Sequence, residues 1–194
     1  MRGFAALASG VCLLVVLGSC VLDAQVPDDG NQPGPFSVHV DLGGMLPHAN
    51  EGGGDLQSVS VGYSPTPKLT ILVGGWRMHR PATERRYPDG VETFTRGGTT
   101  QFVSAEVRFM FGSGERVVPY AFTGGGFGVS HSKVDDIFRN PVTNAAYVAF
   151  GGGGLSVPLS SRLSVSGDLG IFMLGESDVM RSVLPVRAGL TWRF

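Results

Sequence analysis

Cysteine is nearly absent from this chain of 194 residues. There are two, Cys12 and Cys20, and both fall within the first 24 positions. The remainder can form no disulfide and offers no thiolate as a zinc ligand or nucleophile. Charge is also scarce. Asp, Glu, Lys and Arg make up 16% of the residues, against roughly 25% in ordinary soluble domains. The formal net charge of -1 excludes an electrostatic case for nucleic acid. After residue 24 no run reaches the roughly 18 apolar residues of a spanning helix, and no comparable stretch has a helical period. Glycine is abundant, with 30 residues and runs at 52–54, 124–126 and 151–154, yet no Gly-Lys pair and no strict GxGxxG occurs. The runs are therefore not phosphate loops. Glycine at kinks and close contacts of strands is the better reading.

What is present begins with an export signal. Arg2 supplies the positive start, Phe4 to Leu22 is apolar or small, and LDAQ offers cleavage after Ala24. A membrane anchor fits less well, because the apolar core VCLLVVLG is short. LGSC resembles a lipobox with Cys20 lipidated, but Gly18 is a poor match there. The expected organisation is a signal peptide over 1–24, a Pro/Gly/Asp leader over 25–35 and one domain over 36–194.

That domain shows eight segments with strand character. In FSVHVDLGG (36–44), Phe36, Val38, Val40 and Leu42 alternate with Ser37, His39 and Asp41. SVSVGY (58–63) sets Val59, Val61 and Tyr63 against Ser58, Ser60 and Gly62. LTILVGGWRM spans 69–78. TTQFVSAEVRFMF (99–111) sets Val103, Ala105, Val107, Phe109 and Phe111 against Ser104, Glu106 and Arg108. PYAFTGGGFGVS (119–130) and AYVAFGGGGLSV (146–157) are interrupted by glycine. LSVSGDLGIFML (163–174) carries Ser164, Ser166 and Asp168 on its polar face. VLPVRAGLTWRF (183–194) sets Leu184, Val186, Ala188, Leu190, Trp192 and Phe194 against Arg187, Gly189, Thr191 and Arg193. Connections after odd segments are longer (46–57, 79–97, 131–145 and 175–182) than SPTPK, GSGERVV and PLSSR after the even ones. Such asymmetry is that of a transmembrane barrel with short periplasmic turns and longer outer loops. It predicts an all-β fold, an eight-stranded antiparallel up-and-down transmembrane β-barrel.

The orientation of the faces follows from what they carry. Gly62, Gly167 and Gly189 lie beside charged residues on the polar face, which suits a narrow interior, and the apolar face then meets lipid. Read from Arg187, the last strand is polar–x–Gly–x–x–aromatic–x–Phe, through Gly189, Trp192 and Phe194. It matches the C-terminal β-signal read by the bacterial barrel assembly machinery. With the Pro-Tyr start and glycine-rich middle of PYAFTGGGFGVS, the chain over 36–194 resembles the small OmpA/OmpX-like outer-membrane barrels. The resemblance implies the bacterial outer membrane, contact with outer-membrane lipid and lipopolysaccharide, no cofactor, and a structural or adhesive role with a possible surface ligand at the outer loops. An eight-stranded interior is just wide enough for side chains to fill it, so no open pore is expected. Alternatives are OmpW-like passage of a small hydrophobic molecule and a lipid A-modifying enzyme.

Few residues suggest chemistry. His39, His48, His79 and His131 have no metal-ligand spacing. Ser130, His131, Ser132 and Asp135 are close in sequence, but their surroundings do not match a deacylase and a polar loop base is the better reading. The 79–97 loop carries Arg80, Arg85, Arg86 and Arg96 with Glu84, Asp89 and Glu92, a mixed set that is most often solvated. Asp41, Glu106, Arg108, Asp168 and Arg187 fall about four to seven residues from the periplasmic strand ends, all on the polar face. Withdrawn charges persist only when paired, which predicts one ionic network, with Arg187 between Asp168 and Asp41 and with Glu106 and Arg108 on the opposite wall.

Overall fold

The computed structural model describes residues 34–46, 53–81, 83–86, 92–95, 97–112, 116–132, 143–176 and 179–194. The expected signal peptide, most of the leader, His48, Asp89, Arg96 and Asp135 lie outside the described residues. The strands are β1 (Phe36–Leu46), β2 (Gly54–Thr66), β3 (Leu69–Arg80), β4 (Thr83–Arg86), β5 (Glu92–Thr95), β6 (Gly98–Met110), β7 (Val118–Ser132), β8 (Thr143–Pro158), β9 (Leu163–Glu176) and β10 (Val179–Arg193). Eight of them close a barrel in the order β1-β2-β3-β6-β7-β8-β9-β10, with β10 returning to β1. Every neighbouring pair is antiparallel. The short β4–β5 hairpin stands apart within the connection between β3 and β6, where sequence alone suggests only a charged loop.

The register fixes the shape. A row of paired residues starting at Leu155 on β8 passes through Gly167, Ala188, Leu42, Gln57, Arg77, Gln101 and Val129. It returns to β8 at Ala145, ten residues away. Ten residues of stagger over eight strands tilts them by about 40° and gives a backbone radius of about 8 Å.

Alternation decides which side of the wall each residue meets. Phe36, Val40, Leu42, Val59, Val61, Tyr63, Ile71, Val73, Val103, Val107, Phe109, Leu169, Ile171, Leu190, Trp192 and Phe194 point outward and are exposed. Ser37, His39, Asp41, Ser58, Ser60, Ser104, Glu106, Arg108, Asp168, Arg187 and Thr191 point inward and are buried. We term the end of Phe36 and Phe194 proximal and the opposite end distal. Aromatic residues gather outside the proximal end, where the rings of Phe36 and Tyr63, and of Phe109 and Phe111, each lie 5.4 Å apart.

Two features differ from the sequence reading. The connection 175–182 is not a long loop. Strands β9 and β10 stay paired up to Val179 opposite Glu176, which leaves only 177–178 between them. Polar residues such as Arg181 and Ser182 resemble a loop but extend a hairpin. The interior is also not polar throughout: its distal half holds Met45, Leu56, Trp76, Met78, Phe102, Val148, Phe150, Phe172, Leu174 and Val183.

Candidate functional site in the barrel lumen

The proximal half of the lumen is built from serines, threonines and charged side chains, five of which form one cluster. The strands bring Asp41 (β1), Glu106 and Arg108 (β6), Asp168 (β9) and Arg187 (β10) together, and all five are buried. Arg187 donates from Nε to Asp168 Oδ1 at 2.5 Å and from Nη1 to Glu106 Oε2 at 3.3 Å. Arg108 Nε donates to Glu106 Oε1 at 2.5 Å, and its Nη2 lies 3.8 Å from Asp41 Oδ2. The expected neighbour of Arg187 on the β1 side is therefore replaced. Asp41 faces Arg108, and Arg187 reaches across the lumen to Glu106. The tilt explains the change, because residues level along the barrel axis are not the register partners of adjacent strands.

Three carboxylates meet two guanidinium groups here, and neutral donors complete the set. Ser58 Oγ donates to Asp41 Oδ2 at 2.8 Å, and the Tyr120 hydroxyl donates to Asp168 Oδ2 at 2.7 Å. Below them, His39 has Nε2 at 2.9 Å from Ser37 Oγ and Nδ1 at 2.9 Å from Thr191 Oγ1. Both ring nitrogens are thus engaged by hydroxyls within the wall. Among the described residues no cluster of His, Cys, Asp and Glu could hold a metal ion.

The distal half is filled by rings. Phe150 and Phe172 stack at 4.7 Å, and Trp76 lies at 5.5–5.7 Å from Phe172, Phe102 and Phe150. Arg187 joins the halves. Its guanidinium carbon sits 4.3 Å from the Phe122 ring centre and 5.0 Å from that of Trp76, within cation–π range. Its Nη2 has no hydrogen-bond partner among the described residues. Glycines make the room. A Cβ on Gly152 would stand 2.7 Å from the Phe122 ring, and one on Gly124 would stand 2.6 Å from that of Phe150. Sequence reading missed this aromatic layer. Inward glycines on neighbouring strands are the signal that could have revealed it.

The proximal cavity lined by His39, Arg108, Tyr120, Thr191 and Arg193 measures about 20 Å³. Of the residues weighed for catalysis, Ser130 and His131 lie on opposite sides of the wall. Ser130 points inward, buried, 3.2 Å from Thr100 Oγ1, whereas His131 is exposed and has Nδ1 2.9 Å from Thr143 Oγ1. At the closing strand, Trp192 and Phe194 are exposed outside, and the Phe194 amide donates to Phe36 O at 3.1 Å. Gly189 lies against the Asp41 carboxylate, where a Cβ could not fit.

A scan against protein-family models finds no match, and a search of curated proteins finds none either. Solved structures do match. Neisserial surface protein A superposes with a TM-score of 0.62 at 13% identity, covering 84% of this chain and all of that one. The N-terminal β-barrel domain of Pseudomonas aeruginosa OprF gives 0.54 at 14% identity, covering 83% of this chain and all of that one. Ail, the attachment invasion locus protein of Yersinia pestis, solved with the heparin analogue sucrose octasulfate, gives 0.50 at 14% identity, covering 82% of this chain and 97% of that one. With eight antiparallel strands closed β1 to β10 and an apolar outer face, this chain has the fold of the small outer-membrane β-barrels.

Proposed function

We propose that this protein is a bacterial outer-membrane barrel with a side-chain-filled lumen, acting through its distal loops in adhesion and membrane integrity. The observation that carries the reading is the double filling of the lumen, ionic below and aromatic above, joined at Arg187. A bore occupied at both levels leaves the rim as the surface for contact with other molecules. The exposed apolar belt supports a position in the membrane, since a closed barrel satisfies every backbone group internally. Ser130 and His131 on opposite sides of the wall speak against a hydrolytic site there. The attachment role in the name of Ail is consistent with a surface function for this fold. Arg187, Gly189, Trp192 and Phe194 fit an assembly signal, and Phe194→Asp should slow membrane insertion.

The test has two parts. Purified barrel in planar bilayers should show no stable conductance, and cells carrying it with 81–97 replaced by a short turn should lose attachment or detergent resistance while keeping the barrel. Open channels in the intact protein, or loop-shortened cells that behave like the original, would refute the reading.

A further inference from the structure

One stretch of the outward face breaks the apolar belt. Gln57 on β2, Arg77 on β3 and Gln101 on β6 are register partners, and all three are exposed. Directly proximal to them the outward residues are Val59, Gly75 and Val103. Strands β7 to β9 stay apolar at similar heights, through Phe127, Tyr147 and Met173. Taking about 3 Å of rise per strand crossed and about 2.5 Å per residue along a tilted strand, Arg77 stands about level with Phe127 and about 4 Å proximal to Tyr147. The polar triplet therefore sits inside the height of the belt.

A groove of about 760 Å³ runs over it on the outer wall. Val40 and Leu42 form one flank, Phe127 and Val129 the other, and Gly75 the floor. Gly75 differs from the luminal glycines. A Cβ there would meet nothing within 4 Å, so its absence creates a trough and receives no protein neighbour. Among the described residues Arg77 has no ion-pair or hydrogen-bond partner. The nearest carboxylate in register is Asp55, opposite His79 two residues further along β3. A guanidinium facing lipid with no anion beside it among the described residues is suited to an anion supplied by the lipid, and its planar fork matches phosphate.

We infer that this groove binds an anionic, phosphate-bearing lipid of the outer leaflet. The phosphate rests on Arg77, flanked by the amides of Gln57 and Gln101. An acyl chain lies over Gly75, between the Leu42 and Phe127 flanks. The long stem of Arg77 lets its head rise to the phosphate while the stem covers apolar wall. The inference rests on the membrane reading above, and insertion of the barrel tests that reading separately.

The experiment folds the full chain into phosphatidylcholine vesicles holding a small fraction of bisphosphorylated lipid A. Insertion is scored by the boiling-dependent gel shift, and retained lipid by native mass spectrometry after mild extraction. The intact protein should retain one lipid A. Retention should fall about tenfold with dephosphorylated lipid A or in Arg77→Gln, the expected loss of one charge-assisted phosphate contact. Arg77→Lys should keep part of it. Gly75→Leu, which fills the trough without touching Arg77, should lower retention as well. Inorganic phosphate should not compete, because the chain contributes to binding. Equal retention by Arg77→Gln, equal retention of the dephosphorylated lipid, or displacement by inorganic phosphate would overturn the assignment. So would a Gly75→Cys protein that cross-links to a second copy in these vesicles. If Gly75→Leu does not insert, Arg77→Gln decides alone.

Discussion

In the proximal half of the lumen the side chains that meet are Asp41, Glu106, Arg108, Asp168 and Arg187; in the distal half they are Trp76, Phe102, Phe150 and Phe172. Both sets occupy a bore of the same width, but they respond differently to loss. An ionic network depends on each partner, because a carboxylate left alone in a dry interior keeps its desolvation cost. A ring stack depends on area and shape, and its neighbours can partly close a gap. The proximal half is therefore specific and brittle, and the distal half is adaptable.

The sharpest way to break this comparison is to remove the residue that belongs to both halves. Arg187→Ala strips Asp168 and Glu106 of their shared cation and the rings of their cation–π partner, and should cost about 3–5 kcal/mol in urea unfolding from vesicles. A cost as small as that of a surface change would show that the network contributes nothing. Phe172→Ala comes next, at about 3 kcal/mol, the lower part of the range for buried aromatics because Trp76 and Phe150 can lean into the space. A loss matching that of Arg187→Ala would mean that the distal half is as brittle as the proximal one. Tyr120→Phe removes one donor to the Asp168 carboxylate and should cost about 1.5–2 kcal/mol on the same unfolding curve. At the bottom of the scale, Arg85→Ala in the hairpin connection should change stability by less than about 0.5 kcal/mol. Conductance offers a different cut. Arg187→Ala alone should remain closed in planar bilayers because the rings stay in place, whereas Arg187→Ala with Trp76→Ala and Phe172→Ala should pass small ions. Conductance from the single variant would show that the ring layer is no barrier.

The same contrast explains what was legible in the sequence. Proximal strand segments place Ser, His, Asp or Glu inward and Val, Phe or Leu outward, so a period of two stands out. Asp41, Asp168 and Arg187 could be assigned to the interior from this alone. In the distal half, outside the Gln57–Arg77–Gln101 stretch, both sides of the wall are apolar. Phe172 and Leu174 face in while Ile171 and Met173 face out, and GIFML reads as one hydrophobic run. Alternation vanishes where lumen and surroundings have the same polarity. The pairing of Arg187 with Glu106 was illegible for another reason. It depends on the stagger accumulated around the closed sheet, and no single strand encodes that. The two-residue β9–β10 connection was missed because Glu176, Arg181 and Ser182 look like loop residues, although strands that rise beyond an apolar belt can be polar on either face.

Arg187 also has a consequence for the order of assembly. It is carried by β10, which closes the barrel by pairing with β1. Its ionic partners come from β6 and β9, and its ring partners from β3, β7 and β9. Until β10 docks, Asp168 and Glu106 lack a cation they later share, and nothing ties the lower charges to the upper rings. Sealing of the seam and consolidation of the interior are therefore a single event. An open sheet waiting for its final strand is left with unbalanced negative charge facing inward, a state that favours completion over lingering half-closed.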